Sequence, residues 1–256
     1  MLINADFTRR ALLASENYQW VSSPQNGVER VMLDRVGAEK ARATSIVRYA
    51  PDSYFPHHLH PGGEEILVLS GTFSADNIDY PAGWYLRNPP NSGHQPYSKE
   101  GAVIFVKLWQ MPAAEARYVA IDTNDAANWQ KQGNRDVCHL FSDASEQVSL
   151  QRLDANEVLF TEAIKGGAEI LVLDGELIDG ELIDVELVEE RIRDNAQIYT
   201  RGGWRRLPVG ALPPIKAGEY GATVYLKTGH LSHIIGADVE GVYYAAYTGS
   251  GYWRRL

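Results

Sequence analysis

Long apolar runs are missing from this 256-residue chain. No stretch approaches the ~20 consecutive apolar residues that a membrane-spanning helix needs. The N-terminus lacks a basic flank followed by an apolar core, so no secretion signal is expected. There is a single cysteine, Cys138, which excludes an intrachain disulfide and fits a reducing, cytoplasmic setting. Positive charge is in short supply: 24 Lys and Arg against 33 Asp and Glu leave a net charge of −9. That balance argues against nucleic acid or an anionic membrane as the main partner. Long helical periodicity is also lacking, and only 8–16 and 125–132 read as short helices.

What the chain does have is Gly and Pro punctuating short runs rich in Val, Ile, Leu, Tyr and Phe, the pattern of an all-β protein. Strands are expected over 28–34, 44–49, 64–69, 103–109, 169–173 and 223–227. An internal repeat sets the domain organisation. The segment Gly62-Gly63-Glu64-Glu65-Ile66-Leu67-Val68-Leu69-Ser70-Gly71 returns as Gly166-Gly167-Ala168-Glu169-Ile170-Leu171-Val172-Leu173-Asp174-Gly175, identical at eight of ten positions, at an offset of 104. The run 101–107 then answers to 221–227 at an offset of 120, so the second copy holds sixteen extra residues. These are expected within 174–193, where 176–183 reads as a hairpin closed by Asp179-Gly180. The eight acidic residues between 174 and 190 read as a solvated hairpin face.

Chemistry concentrates in the first copy. His58 and His60 are two apart, so on a strand they share a face. Pro61-Gly62-Gly63 then reverses the chain and Glu64 opens the next strand beside them, with His94 following after Asn88-Pro89-Pro90-Asn91. Three imidazoles and one carboxylate suit a divalent transition metal with positions left open. His57 and Glu65 alternate away from that face and read as surface and structural residues. In the second copy Glu162, Ile164 and Ala168 stand at the positions of His58, His60 and Glu64. Anchoring on Tyr85/Tyr199 and Arg87/Arg201 puts Pro208 opposite His94. The expected organisation is a metal-binding domain over 1–112, a linker over 113–135, and a degenerate second domain over 136–256 without metal ligands, which buttresses the first or mediates assembly.

These residues resemble the cupin superfamily of small β-barrels that hold a metal inside. His58, His60, Glu64 and Gly71 fit the first cupin motif, with Asp52 where a glycine usually stands. Gly83, Pro89 and His94 fit the second, with Asn91 in place of a glycine and Ser98 in place of an asparagine. The wording of 41–55, 62–71 and 87–90 resembles the ChrR-type cupin family in particular. The resemblance implies a bicupin: two tandem double-stranded β-helix (jelly-roll) barrels, with a metal at His58, His60, Glu64 and His94. Zinc is the ion of the family's namesake, an anti-sigma factor whose cupin follows a helical sigma-binding domain. Only 27 residues precede the first expected strand here, so direct sigma-factor binding is not expected. Related cupins include iron-dependent dioxygenases.

Two functional readings follow. One is a metal-dependent small-molecule enzyme of dioxygenase type, its ligand held in the first barrel, with Tyr85, Arg87 and Lys107 as candidates for orienting an anionic substrate or as structural groups. The other is a sensor or regulatory binding module, related to ChrR anti-sigma factors, that acts through a separate partner chain; a metal-stabilised structural protein stands beside them. The donor set expects one divalent ion per chain, zinc or iron, with manganese or nickel also compatible. Self-association as a homodimer is left open.

Overall fold

In the computed structural model, which describes residues 1–38, 40–180 and 197–237, the alternating runs become antiparallel strands. No α-helix occurs among the described residues. Nor is any described helix long and apolar enough to cross a membrane. The expected strands all appear, mostly longer: Val28–Gly37, Ala41–Tyr49, Glu64–Ala75, Ala102–Leu108, Ala168–Asp179 and Ile215–Thr228. The two expected helices do not. Residues 8–16 hold the strand Ala11–Leu13 and a 3-10 turn at Ser15–Asn17, and 125–132 hold a 3-10 turn at Ala126–Asn128 followed by the strand Trp129–Gln132. Both segments find sheet edges to pair with, and those tertiary bonds override weak local helix preference.

Each copy folds into its own β-barrel. Ile66, Val68, Phe73, Leu86, Ile104 and Val106 fill the first, and Leu159, Ile170, Val172, Leu207, Ile215 and Val224 fill the second. A further apolar cluster joins the outer faces of the two sheets, where Val31, Leu33, Ile46, Leu67 and Phe105 meet Leu140, Val148, Leu150, Trp204 and Tyr225.

Strands are exchanged between the two copies in a reciprocal way. Ala11–Leu13, ahead of the first barrel, pairs with Trp204–Leu207 of the second. Val119–Asp122, from the segment expected as a linker, pairs with Trp84–Asn88 of the first. The rest of that segment contributes Trp129–Gln132 to the second sheet, against Arg135–Ser142.

The strand register corrects the alignment of the repeat. Tyr85 and Arg87 stand opposite Leu67 and Glu65, while Trp204 and Arg206 stand opposite Leu171 and Glu169. The true counterparts are therefore Tyr85/Trp204 and Arg87/Arg206, which moves Pro213 into the place of His94 and aligns Pro208 with Pro89. The equivalent bonds from Asn91 N to His60 O (2.8 Å) and from Gly210 N to Ile164 O (2.7 Å) fix the same register. Most of the extra length also finds its place. Thr72–Ala75 pairs with Ile78–Pro81 across a tight turn, whereas Glu176–Asp179 pairs with Gln197–Thr200 across residues 180–196. The far arm of the expected hairpin, 181–183, and most of its acidic run lie outside the described residues.

Gly71 and Gly175 explain why this part of the repeat keeps its glycines. Both have positive φ, +67° and +69°, and a Cβ on either would lie 2.0 or 2.3 Å from the carbonyl oxygen of Gly101 or Gly221.

Candidate metal centre

Two short strands carry three of the four expected ligands. His58–His60 pairs with Ser92–His94, bringing His94 opposite His58 and Ser92 opposite His60. Alternation then does what the spacing requires: His57 and Leu59 are exposed while His60 and His94 are buried and His58 is half-buried. The turn at Gly62-Gly63 needs glycine, since Gly63 has φ +75° and a Cβ there would meet the Met111 sulfur at 2.5 Å. It delivers Glu64 beside the imidazoles.

The four side chains converge. One ring nitrogen from each of His58, His60 and His94 lies within 4.8 Å of the others. His60 Nε2 and His94 Nε2 are 3.0 Å apart, and Glu64 Oε2 stands 3.5 Å from the first and 3.4 Å from the second. Donor atoms about 2.1 Å from one shared ion stand roughly 3.0–3.4 Å apart when they occupy neighbouring positions, so the donor set fits a cation. His58 Nδ1 lies 2.9 Å from Pro56 O, which ties up that nitrogen and leaves Nε2 to face the cluster.

Electrostatics agree with the distances. Burial, and then the charge of His58, push His60 down to about 4. Burial also lowers His94, against the opposing pull of Glu64. Both imidazoles are thus neutral near pH 7, the form that ligates. Burial raises the Glu64 carboxyl, only partly offset by His94, the Asn88 amide and His58. A cation among these groups would reverse that shift.

The cluster opens on a cavity of about 420 Å³, lined on one side by His58, His60 and Glu64 and on the other by Ala43, Val47, Ile104 and Val106. Tyr49 and Phe55 also line it. The Tyr49 hydroxyl is held protonated by burial and by the nearby Glu64.

Sequence reasoning missed a group that supports the cluster. Asn88 Nδ2 donates to Glu64 Oε2 at 3.0 Å. Only the strand register reveals its signal: in the second barrel Ala168 and Leu207 replace that cross-strand pair together. Conversely, Tyr85, Arg87 and Lys107 do not reach the cavity. They point out of the barrel into the contact between the two copies. There Arg87 pairs with Glu65 (3.3 Å) and Glu146 (2.5 Å), and Lys107 with Glu169. Lys227 and Tyr225 complete the layer on Glu65, at 2.9 and 2.5 Å.

Two barrels built this way, with a histidine cluster inside one, have the fold of a two-barrel cupin. More particularly, residues 8–112 match the family model described as the ChrR cupin-like domain. No curated protein matches the chain in sequence. Among solved structures it is similar to a "putative dioxygenase" from Nostoc punctiforme PCC 73102 (14% identity, TM-score 0.62, covering 92% of this chain and 85% of that one). It is also similar to a bacterial pirin from Escherichia coli in complex with nickel(II) (12% identity, TM-score 0.60, 86% and 98% covered). A cupin 2 conserved barrel domain protein from Leptotrichia buccalis is a third (14% identity, TM-score 0.53, 82% and 92% covered). At these identities the likeness is one of fold.

Proposed function

We propose that the chain is a metal-dependent enzyme of dioxygenase type that binds one divalent ion on His58, His60, Glu64 and His94 and a small organic substrate in the first barrel. One observation carries this reading: four donor atoms converge, and three of the residues that bear them, His58, His60 and Glu64, line a cavity large enough for a small molecule. A structural site is usually closed on all sides by protein, whereas this one borders open space. A bound iron or manganese ion supplies the dioxygen chemistry. The protein's own groups do the rest. Asn88 orients the Glu64 carboxylate, and Pro56 O fixes the His58 ring. Burial keeps His60 and His94 unprotonated, and the apolar wall displaces water from the substrate.

The test is elemental analysis of protein purified without a metal-chelating tag, followed by oxygen uptake with diketone and phenolic substrates after anaerobic iron loading. Iron or manganese near one per chain with substrate-dependent uptake is the expected result. Tightly held zinc with no uptake would overturn the enzymatic reading in favour of a sensor.

A further inference from the structure

The cavity beside the histidine cluster is also lined by two arginines that form no ion pair with any described carboxylate. Arg30 and Arg35 both line it, and exposed Lys40 stands among the residues around it. Arg35 is 7% exposed, and its Nη2 donates to Ala38 O. The Nε of Arg30 is buried without an acceptor. Among the described residues neither half-buried Arg30 nor buried Arg35 forms an ion pair, although the other buried arginines do: Arg42 and Arg206 with Asp34, Arg87 with Glu65 and Glu146, and Arg205 with Asp179. An unpaired charge kept out of water is costly unless something supplies the counter-charge. Burial and the charge of Arg30 both lower the Arg35 pKa, the direction expected of two cations facing one another without an anion between them.

The repeat shows that the fold does not need this pair. Arg30 stands opposite Val47 and Arg35 opposite Ala43. At the corresponding places in the second barrel, Val137 stands opposite Gln151 and Ser142 opposite Gln147. Both arginines are therefore lost together with all four ligand candidates. The charges of the inter-barrel layer behave in the opposite way: Glu65/Glu169, Lys107/Lys227 and Arg87/Arg206 are kept in both copies. What both copies keep serves the packing of one on the other, and what only the first keeps serves its cavity.

We infer that the first barrel binds a small organic acid, its carboxylate held by Arg30 and Arg35 and its apolar body lying along the wall of Ala43, Val47, Ile104 and Val106 towards the histidine cluster. This rests on the reading of that cavity as the substrate site. A planar guanidinium fork suits a carboxylate, and two forks discriminate strongly against an uncharged isostere. The volume of about 420 Å³ fits a molecule the size of a substituted aromatic or short aliphatic acid.

The full-length protein would be titrated calorimetrically with benzoate, phenylacetate and hexanoate, each beside its neutral amide, and metal content measured on the same samples. At least one acid is expected to bind about tenfold or more tightly than its amide. Arg30→Val and Arg35→Ser, which copy the second barrel, should each erase that preference while metal content stays at the wild-type level. If no acid is preferred over its amide, or if the preference survives Arg30→Val, the inference is overturned. Should Arg35→Ser fail to fold, Arg30→Val and the acid–amide comparison still decide. An Arg30-dependent acid preference in protein that takes up no stoichiometric metal would instead sink the metal reading and leave the anion site standing.

Discussion

Asn88 and Glu64 face each other across two strands of the first barrel, with the amide nitrogen 3.0 Å from Oε2 of the carboxylate. The same two places in the second barrel hold Leu207 and Ala168. A polar pair in one copy and an apolar pair in the other means that each partner has a use only while the other is present. Asn88 thus sets the direction of the Glu64 carboxylate.

Asn88→Leu is accordingly expected to weaken metal affinity by about 10- to 100-fold, the usual loss when a ligand's supporting hydrogen bond goes. The barrel should stay folded, because the second copy already accommodates leucine there. Competitive chelator titration of purified variant and wild type, with circular dichroism as the folding control, measures both. An unchanged affinity would show that Asn88 is only filling space.

Removing a ligand should be harsher than removing its support. His58→Ala or His94→Ala is expected to take metal content from about one per chain to near zero while strand content persists. Glu162→Ala, at the position of His58 in the second barrel, should leave metal content untouched. Elemental analysis decides it: full occupancy in either histidine variant refutes the ligand set, and a halved content in Glu162→Ala would place metal in the second barrel.

Acid stability should be set in part by the layer between the barrels. Burial alone would raise the Glu65 carboxyl, but Lys227, Arg87 and Lys107 override it and hold it at about 2. Since the folded value lies below the unfolded one, the stabilisation is complete above about pH 4.5 and is lost as the pH falls towards 2. Glu65→Gln would leave buried cations short of a partner, a change that typically costs about 3–5 kcal/mol near neutrality. The gap between variant and wild type, followed by urea unfolding at successive pH values, should narrow as the medium becomes more acidic. A gap that widens with acid would contradict the direction of the shift.

Deleting residues 1–14 should damage the second barrel most at Trp204–Leu207, and in the first should loosen only the edge where Leu2–Ile3 pairs with Val36 and Arg35. Those residues supply the strand Ala11–Leu13 on Trp204–Leu207 and the backbone oxygens of Asn4 and Asp6 that accept from Arg206 Nη2. Hydrogen exchange is expected to quicken at 204–207 well before it quickens at 64–75. The reverse order would mean that the exchanged strand contributes little.

Much of this molecule was legible in its sequence because the deciding signals were local. Alternation at His58 and His60, the glycine turn before Glu64 and the eight-in-ten repeat identity each act over a few residues. What could not be read depended on distant partners or on breaks in regularity. Tyr199 and Arg201 imitate the spacing of Tyr85 and Arg87, and only the pairing of Trp204 with Leu171 exposes the mismatch. Arg30 and Arg35 are five apart, which on a regular strand puts them on opposite faces. An irregularity between Met32 and Asp34 shifts the phase and turns both into the cavity. The strand Ala11–Leu13 is too short to announce itself, and its partner lies near the other end of the chain.

That last pairing places a demand on how the protein is made. Ala11 meets Arg206, so the ribosome must synthesise most of the chain before the strand Ala11–Leu13 can dock. At about 5–20 residues per second the wait is on the order of ten seconds or more. Through that interval Ala11–Leu13 is unpaired, while Leu2–Ile3 can already pair with Val36 and Arg35 of a first barrel that is out of the exit tunnel. Closure of such a long loop makes final assembly a late and slow event, one in which chaperones or a neighbouring nascent chain can intervene.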